Sequence, residues 1–318
     1  MTASTFETPI GKGIYTPVPT FFTGENYELD LESQIAHAKF LYSSGINGVV
    51  TGGSMGESIH LTRQERLEIV KAIRSAVPSD EFKIISGMPY TNIPDTIAEI
   101  KALKDAGANY TILLTPGYYG NSLTTQQGII DYFTLVGDKS ALPIVIYHYP
   151  GVSNGTEINP ETFEVLSKHP SIVGVKLTHF NMDKYVLLTG RVEENKANNF
   201  RPFTGLGQIL VPSLAIGAFG AIDGLSGVFP KSMLKLFELF NNKQYEEAQK
   251  LQFLVTRANQ MVFSLNLIGV KHALNVIHGF GDSNVSGRPP LNHQVDLKVW
   301  NKYEDDIKKL GEFEKSLS

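Results

Sequence analysis

The chain has 318 residues, is 42% hydrophobic and 19% charged, carries a net charge of −4 and contains no cysteine. This composition supports a large packed core and excludes a disordered chain. The dispersed Lys and Arg give no nucleic-acid-binding block, and the lack of Cys excludes disulfides, thiolate catalysis and Cys-ligated metal centres.

The longest uncharged apolar run, Ile209 to Ile222, is interrupted by Pro212, Gly217 and Gly220 and falls short of the roughly 20 residues of a membrane-spanning helix. Met1 to Ile10 lacks a basic stretch followed by an apolar one, so no secretory leader is expected. A cytoplasmic protein working without a membrane or nucleic-acid partner is the resulting expectation.

In chain order, Ile14 to Phe22 reads as a strand, and Asp30 caps a helix running to about Tyr42. Gly48 to Thr51 is a short strand entering the turn Gly52-Gly53-Ser54-Met55-Gly56-Glu57. Thr62 opens a helix with Glu65 three residues on, the spacing of a capping box. Lys83 to Met88 is a strand, and Asn92 to Ala106 a helix with Pro94 at its start and Gly107 just past its end. Strand Tyr110 to Thr115, helix Thr124 to Val136, strand Pro143 to Tyr147 and helix Pro160 to Lys168 follow. After strand Ser171 to Thr178 come helix Asp183 to Asn195, strand Phe200 to Thr204, helix Gly207 to Ala218, strand Gly220 to Leu225 and helix Lys231 to Phe240.

Eight strands, each followed by a helix, predict an α/β fold closed as a (β/α)8 TIM barrel over residues 10–240. An open doubly wound sheet would carry Gly-x-Gly-x-x-Gly after its first strand; Gly11-Lys12-Gly13 precedes that strand instead. Residues 241–318 read as a C-terminal helical extension with helices Gln244 to Leu265, Gly269 to His278 and Asp296 to Lys315.

Within Ser171 to Thr178 the apolar run contains Lys176. A lysine in a buried strand loses hydration, which lowers its pKa and frees the amine to attack a ketone; a lysine snorkelling from the strand end or paired with a buried carboxylate is the structural alternative. Barrel sites gather at the C-terminal strand ends. Those ends supply Ser54 and Met55, Tyr118 and Tyr119, Tyr147, Lys176 and Thr178, and Gly205 to Gly207. An imine mechanism needs a neutral amine, a proton shuttle and donors for a keto-acid carboxylate, and glycine-rich turns present such backbone donors. No His or carboxylate spacing suggests a metal, and no cofactor is expected. Glu57 reads as structural, and Phe237, Phe240 and Phe253 as core.

Gly53-Ser54-Met55-Gly56-Glu57-Ser58, Tyr118-Tyr119, Tyr147-His148-Tyr149-Pro150 and Gly174-Val175-Lys176, in this order across about residues 10–295, resemble the motifs of the dihydrodipicolinate synthase / N-acetylneuraminate lyase family. The resemblance implies a Schiff-base class I aldolase that handles pyruvate and an aldehyde. It implies Lys176 as the imine lysine, Tyr147 as general acid/base, and Ser54 with the Ser54-Met55 backbone as carboxylate binder and proton relay. It implies Tyr119 (or Tyr118) completing the relay from a neighbouring subunit, hence a homotetramer or dimer. Thr178, Gly205 and Ile222 are carried over as substrate contacts, and His148, His179, Asn181 and Gln208 stand as specificity candidates.

Three departures matter. Met55 stands where the family has Thr or Asn. His148 and Tyr149 occupy variable positions. Val152 falls where true dihydrodipicolinate synthases place an arginine for the second substrate. The stretch around Lys176 is closest in pattern to fungal 2-keto-3-deoxy-sugar-acid aldolases, with 4-hydroxy-2-oxoglutarate aldolases as relatives. A dihydrodipicolinate synthase and a keto-acid-binding barrel that has lost catalysis are the alternatives.

Overall fold

The computed structural model describes residue 6 and residues 10–317, so the leader reading of Met1 to Ile10 falls almost wholly outside the described residues. Eight parallel strands form a closed barrel: β1 Gly13–Pro17, β2 Gly48–Thr51, β3 Lys83–Gly87, β4 Tyr110–Leu114, β5 Ile144–His148, β6 Ile172–Leu177, β7 Arg201–Thr204 and β8 Gly220–Ile222. Neighbours in sequence pair in order, and β8 closes on β1 through Gly13↔Gly220 and Ile14↔Ala221. The strands are buried on both faces, which is why they read as near-continuous apolar runs. Tyr15, Val50, Ile85, Ile112, Val145 and Phe203 fill the interior. Val49, Ile84, Leu113 and Ile146 pack outward beneath the helices.

The local signals hold where side chains cap the backbone. Asp30 accepts from Ser33 N, and Thr62 and Glu65 form the reciprocal capping box of Arg63–Ala76, a feature worth about 1 kcal/mol. Gly107, with φ 105°, ends Ile93–Ala106 in the left-handed conformation that glycine adopts without a steric cost.

Several expected elements are shorter. β1 stops at Pro17, since prolines 17 and 19 cannot donate to a ladder; Phe22–Thr23 pairs instead with Glu28–Leu29 in a separate antiparallel hairpin. The helix read over Asp183 to Asn195 is two, Met182–Thr189 and Val192–Ala197, broken at Gly190. Gly207 to Ala218 is a 3₁₀ turn, Gly207–Ile209, followed by Leu210–Ala215. Asp296 to Lys315 is also two helices, Leu297–Trp300 and Glu304–Ser316.

One irregularity sets the direction of the central lysine. Ile144 pairs with Ile172, but Val145 pairs with Gly174, so Val173 is an extra residue in β6. Ile172 faces outward and Val173 inward. Strict alternation from there would turn Lys176 outward, because a one-residue slip exchanges the two faces of a strand. The bulge restores the opposite parity: Val175 lies in the outer layer, and Lys176 pairs with the inward-facing Tyr147. Bulges re-aim side chains in this way. Glycine fits at 174, since a Cβ there would lie 2.5 Å from Arg201 O.

After Pro230–Asn241 comes the long helix Tyr245–His278, broken at Asn266, whose φ of 52° and ψ of −143° are not helical. The break falls between the two helices expected from sequence, and it brings this segment over the C-terminal mouth of the barrel. No helix among the described residues is long and apolar enough to cross a membrane.

Candidate active site

A cavity of about 590 Å³ opens at the C-terminal ends of the strands. Its floor holds Gly53, Ser54 and Tyr147, its walls include Leu114, Tyr149 and Val152, and residues 264–268 with Pro290, Leu291 and His293 cover it. The site residues expected from sequence all lie in the barrel, before residue 223. The structure also brings the break point of the long C-terminal helix into the site, a contact between segments over a hundred residues apart that no local pattern announces.

Lys176 is 6% exposed, and its Nζ lies 4.3 Å from the centroid of the Tyr147 ring. Burial lowers the ammonium pKa to about 7, against an opposing pull from Asp223, so a large share of the amine is neutral near neutral pH. The Tyr147 hydroxyl and Ser54 Oγ are 3.0 Å apart. Burial raises the Tyr147 phenol to about 12, and the hydroxyls of Ser54 and Thr178 beside it partly offset that rise. The arrangement therefore holds a nucleophilic amine, a phenol that keeps its proton until a stronger base removes it, and a hydroxyl chain leading away.

The turn after β2 is built by glycine and by one strained residue. A Cβ at Gly52 (φ 62°) would lie 2.4 Å from Gly87 O, so only glycine permits this close approach. Glu57 sits at φ 52°, a conformation costing on the order of 1 kcal/mol for a non-glycine residue. Its buried carboxylate accepts from Lys271 Nζ at 2.5 Å and from Arg288 N at 3.2 Å, and lies 3.1 Å from His60 Nδ1. Glu57 thus ties the Ser54 turn to the C-terminal segment, in line with the structural role read from sequence.

The other expected contacts divide. Thr178 and Gly205 lie together beside Tyr147; a Cβ at 205 would meet Thr178 Oγ1 at 2.0 Å. Ile222 belongs to the fully buried barrel interior. Met55 packs against Gly224, where a Cβ would meet its methyl at 2.9 Å. His148 and His179 do not line the cavity. His148 projects from the outer face of β5 against Phe163, with its ring 4.9 Å from that of His179 and Nε2 3.2 Å from Glu157. Burial, reinforced by His179, pushes His148 down to about 3, and burial pushes His179 down to about 4. The parity of β5 explains the correction: Tyr147 points inward, so its successor points out.

Asn181 caps the helix Met182–Thr189, and Gln208 is hydrogen-bonded to Asn259 at 2.5 Å. Tyr118 and Tyr119 are 85% and 66% exposed, stacked edge to face at 5.1 Å, and neither lines the cavity. Among the described residues, no group of three or more His, Asp or Glu is placed to hold a metal ion.

Asp223, one residue past β8, was not singled out from the sequence. It is 1% exposed and accepts from Ser226 N at 3.1 Å. Burial raises its carboxyl to about 6, with Ser226 and the charge of Lys176 pulling it back. An isolated Asp after a three-residue strand carries no sequence signal of burial.

The model of the dihydrodipicolinate synthetase family matches residues 11–310. The chain is 34% identical to a protein of Emericella nidulans named probable mitochondrial 4-hydroxy-2-oxoglutarate aldolase, over 86% of this chain and 87% of that one. It is 30% identical to the L-threo-3-deoxy-hexylosonate aldolase of Aspergillus niger, over 98% of both chains. The crystal structure of a dihydrodipicolinate synthase family protein from Coccidioides immitis superposes with a TM-score of 0.85 at 27% identity, covering 98% of this chain and 99% of that one.

Proposed function

Given that the chain belongs to the dihydrodipicolinate synthetase family, we propose that it is a Schiff-base class I aldolase, a carbon–carbon lyase that cleaves a 2-keto-3-deoxy acid to pyruvate and an aldehyde. The observation that carries the reading is the buried Lys176 amine over the Tyr147 ring, with the Tyr147 hydroxyl hydrogen-bonded to Ser54 at the floor of the cavity.

Lys176 attacks the C2 ketone, and loss of water gives a cationic imine. Tyr147 moves the protons of these steps, with Ser54 as its relay. The backbone of the Ser54 turn holds the substrate carboxylate. With the imine as electron sink, removal of the C4 hydroxyl proton breaks the C3–C4 bond and releases the aldehyde, leaving an enamine. Protonation at C3 and hydrolysis then give pyruvate and the free lysine. A homo-oligomer, with Tyr119 entering a neighbour's relay, and a cytoplasmic location are part of the proposal.

The acid cleaved is of the L-threo-3-deoxy-hexulosonate or the 4-hydroxy-2-oxoglutarate type, the classes named for the relatives. Lys176 reaches the cavity only through its contact with the Tyr147 ring and is not itself a lining residue; no other lysine and no arginine lines the cavity among the described residues, and most of its walls are apolar. Val152 is a lining residue, and nearby Arg288 is engaged with Glu65 and the Tyr27 carbonyl. The condensation of pyruvate with aspartate semialdehyde would leave that substrate's carboxylate without a cation. The test is borohydride trapping with pyruvate followed by peptide mass analysis, then turnover with a panel of 2-keto-3-deoxy acids. A reduced pyruvyl adduct on Lys176, absent from Lys176→Ala, is expected; a folded wild-type protein that yields no adduct overturns the reading.

A further inference from the structure

Arg201 differs from every other arginine of the chain. Arg66, Arg191, Arg257 and Arg288 are ion-paired with Glu99, Glu164, Asp306 and Glu65, and Arg63 and Arg74 donate to backbone carbonyls. The Arg201 side chain makes no ion pair among the described residues, and its Nε is shut off from solvent without a hydrogen-bond partner. It rests on a ring instead: its guanidinium carbon lies 4.3 Å from the centroid of Phe219. Lys12 Nζ lies 5.3 Å from the centroid of the same ring, and it too has no ion pair among the described residues.

The topology explains the meeting. Lys12, Arg201 and Phe219 stand at the N-terminal ends of β1, β7 and β8, which are neighbours in the barrel. Phe219 N donates to Pro202 O at 2.8 Å and Gly13 N to Phe219 O at 3.1 Å, which laces the three ends together. They border a cavity of about 350 Å³ on the face of the barrel opposite the active site. Lys196, from the helix Val192–Ala197, is a third cation on its wall, and Phe237 and Phe240 of Pro230–Asn241 give it an apolar side. No Asp or Glu lines it among the described residues, and it shares no lining residue with the catalytic cavity.

Three cations around one cleft repel one another, in a chain whose net charge is −4. A cleft of one sign with low-dielectric walls focuses its field and concentrates the opposite charge. A guanidinium stacked on an aromatic face keeps its in-plane donors free, which suits the paired oxygens of a carboxylate or phosphate. A purely packing arginine buries its stem and keeps its head in water. Here part of the head is buried and unpaired, a cost that an anion in the cleft would offset.

We propose that this cleft binds a small organic dianion, a phosphate monoester with an apolar body, with Arg201, Lys12 and Lys196 around the phosphate and Phe237 and Phe240 against the body. Three cations match two negative charges better than the one of a simple carboxylate. The volume lies at the lower end of the range for ligand cavities, about 300–1,000 Å³, which sets the size of the body at about one ring. The inference goes beyond the aldolase reading and does not depend on it.

The test is isothermal titration calorimetry of the full chain with phenyl phosphate at low ionic strength, where charge is least screened. One equivalent per chain should bind. Arg201→Gln should weaken binding about tenfold or more, and Arg201→Lys, which keeps the charge and loses the fork, should not restore it. Lys12→Gln, at an exposed position, should weaken it severalfold and leave the melting temperature unchanged, so the test stands even if the Arg201 variants fold poorly. Inorganic phosphate, without the body, and benzoate, without the second charge, should each bind about tenfold more weakly. No binding of phenyl phosphate to folded wild-type protein, or binding unchanged in Lys12→Gln and in folded Arg201→Gln, overturns the proposal. Inorganic phosphate or benzoate binding as tightly as phenyl phosphate overturns the ligand class. Borohydride trapping of pyruvate should be the same in Lys12→Gln as in wild type, so failure of the aldolase reading and failure of this one are read separately.

Discussion

Tyr147 and Lys176 are directly paired residues of adjacent strands, and they share the interior of the barrel only because Val173 is an extra residue in β6. The same pairing places the Lys176 nitrogen over the phenol ring, a contact that favours the cation, while burial favours the amine. The balance leaves Lys176 near 7, between nucleophile and ammonium.

Gly174 is therefore more than a small residue in a strand. Gly174→Ala would bring a Cβ to 2.5 Å from Arg201 O and push β6 away from β7. Overpacking of this kind costs about 1–3 kcal/mol. Because Lys176 lies two residues on, activity should fall further than stability suggests, by about a hundredfold for a displacement near 1 Å. Thermal melts and adduct-trapping rates on the same preparation check this; trapping at the wild-type rate in a destabilised variant would show that the bulge does not aim the lysine.

Tyr147→Phe keeps the ring beneath Lys176 and removes the hydroxyl. The variant should fold with a loss of about 1 kcal/mol from the Ser54 hydrogen bond. Turnover should fall by about 10²–10⁴-fold in kcat, with KM changed little, as for loss of a general acid/base. Steady-state kinetics with a 2-keto-3-deoxy acid decide it: a KM effect alone would make the phenol a binding group.

Lys176 also sets a pH dependence of stability. Burial holds its pKa at about 7 in the folded protein, against the ordinary lysine value of 10.5 in the unfolded chain. Between these values the unfolded chain binds a proton that the native lysine does not, so this residue makes stability rise with pH across that window. Below about 7 both states hold the proton and the burial penalty is fully present. Urea midpoints of wild type and Lys176→Met should therefore converge as pH rises from 7 to 10.5, the variant being the more stable at the lower end. Parallel curves would mean that the lysine is not desolvated.

Much of this was legible in the sequence, and the rest has a common cause. The strands, the Thr62–Glu65 capping box and the break after Leu265 are local, so periodicity and end signals reveal them. The bulge at Val173 is a statement about register with β5, which a single strand does not encode. The outward turn of His148 follows once Tyr147 is known to face inward, yet adjacency in sequence made both look like pocket residues. Asp223 and the covering residues 264–268 depend on how β7, β8 and the broken helix come together, contacts of long sequence separation.

Tyr119 is one of the expected site residues that do not line this subunit's own cavity. Its ring is 66% exposed and held against Tyr118, which is itself 85% exposed, an unusual cost in water for two aromatic side chains side by side. If a neighbouring subunit receives Tyr119 in its relay, Lys176→Ala and Tyr119→Phe chains are each impaired for a different reason. A mixed oligomer then contains sites with an intact lysine and a partner's intact tyrosine. Mixing equal amounts under conditions of subunit exchange should restore about a quarter of wild-type activity for sites shared across a two-fold interface. Mass analysis of the mixture establishes that exchange has occurred. No recovery in exchanged oligomers, or full activity of Tyr119→Phe alone, would remove the tyrosine from the relay.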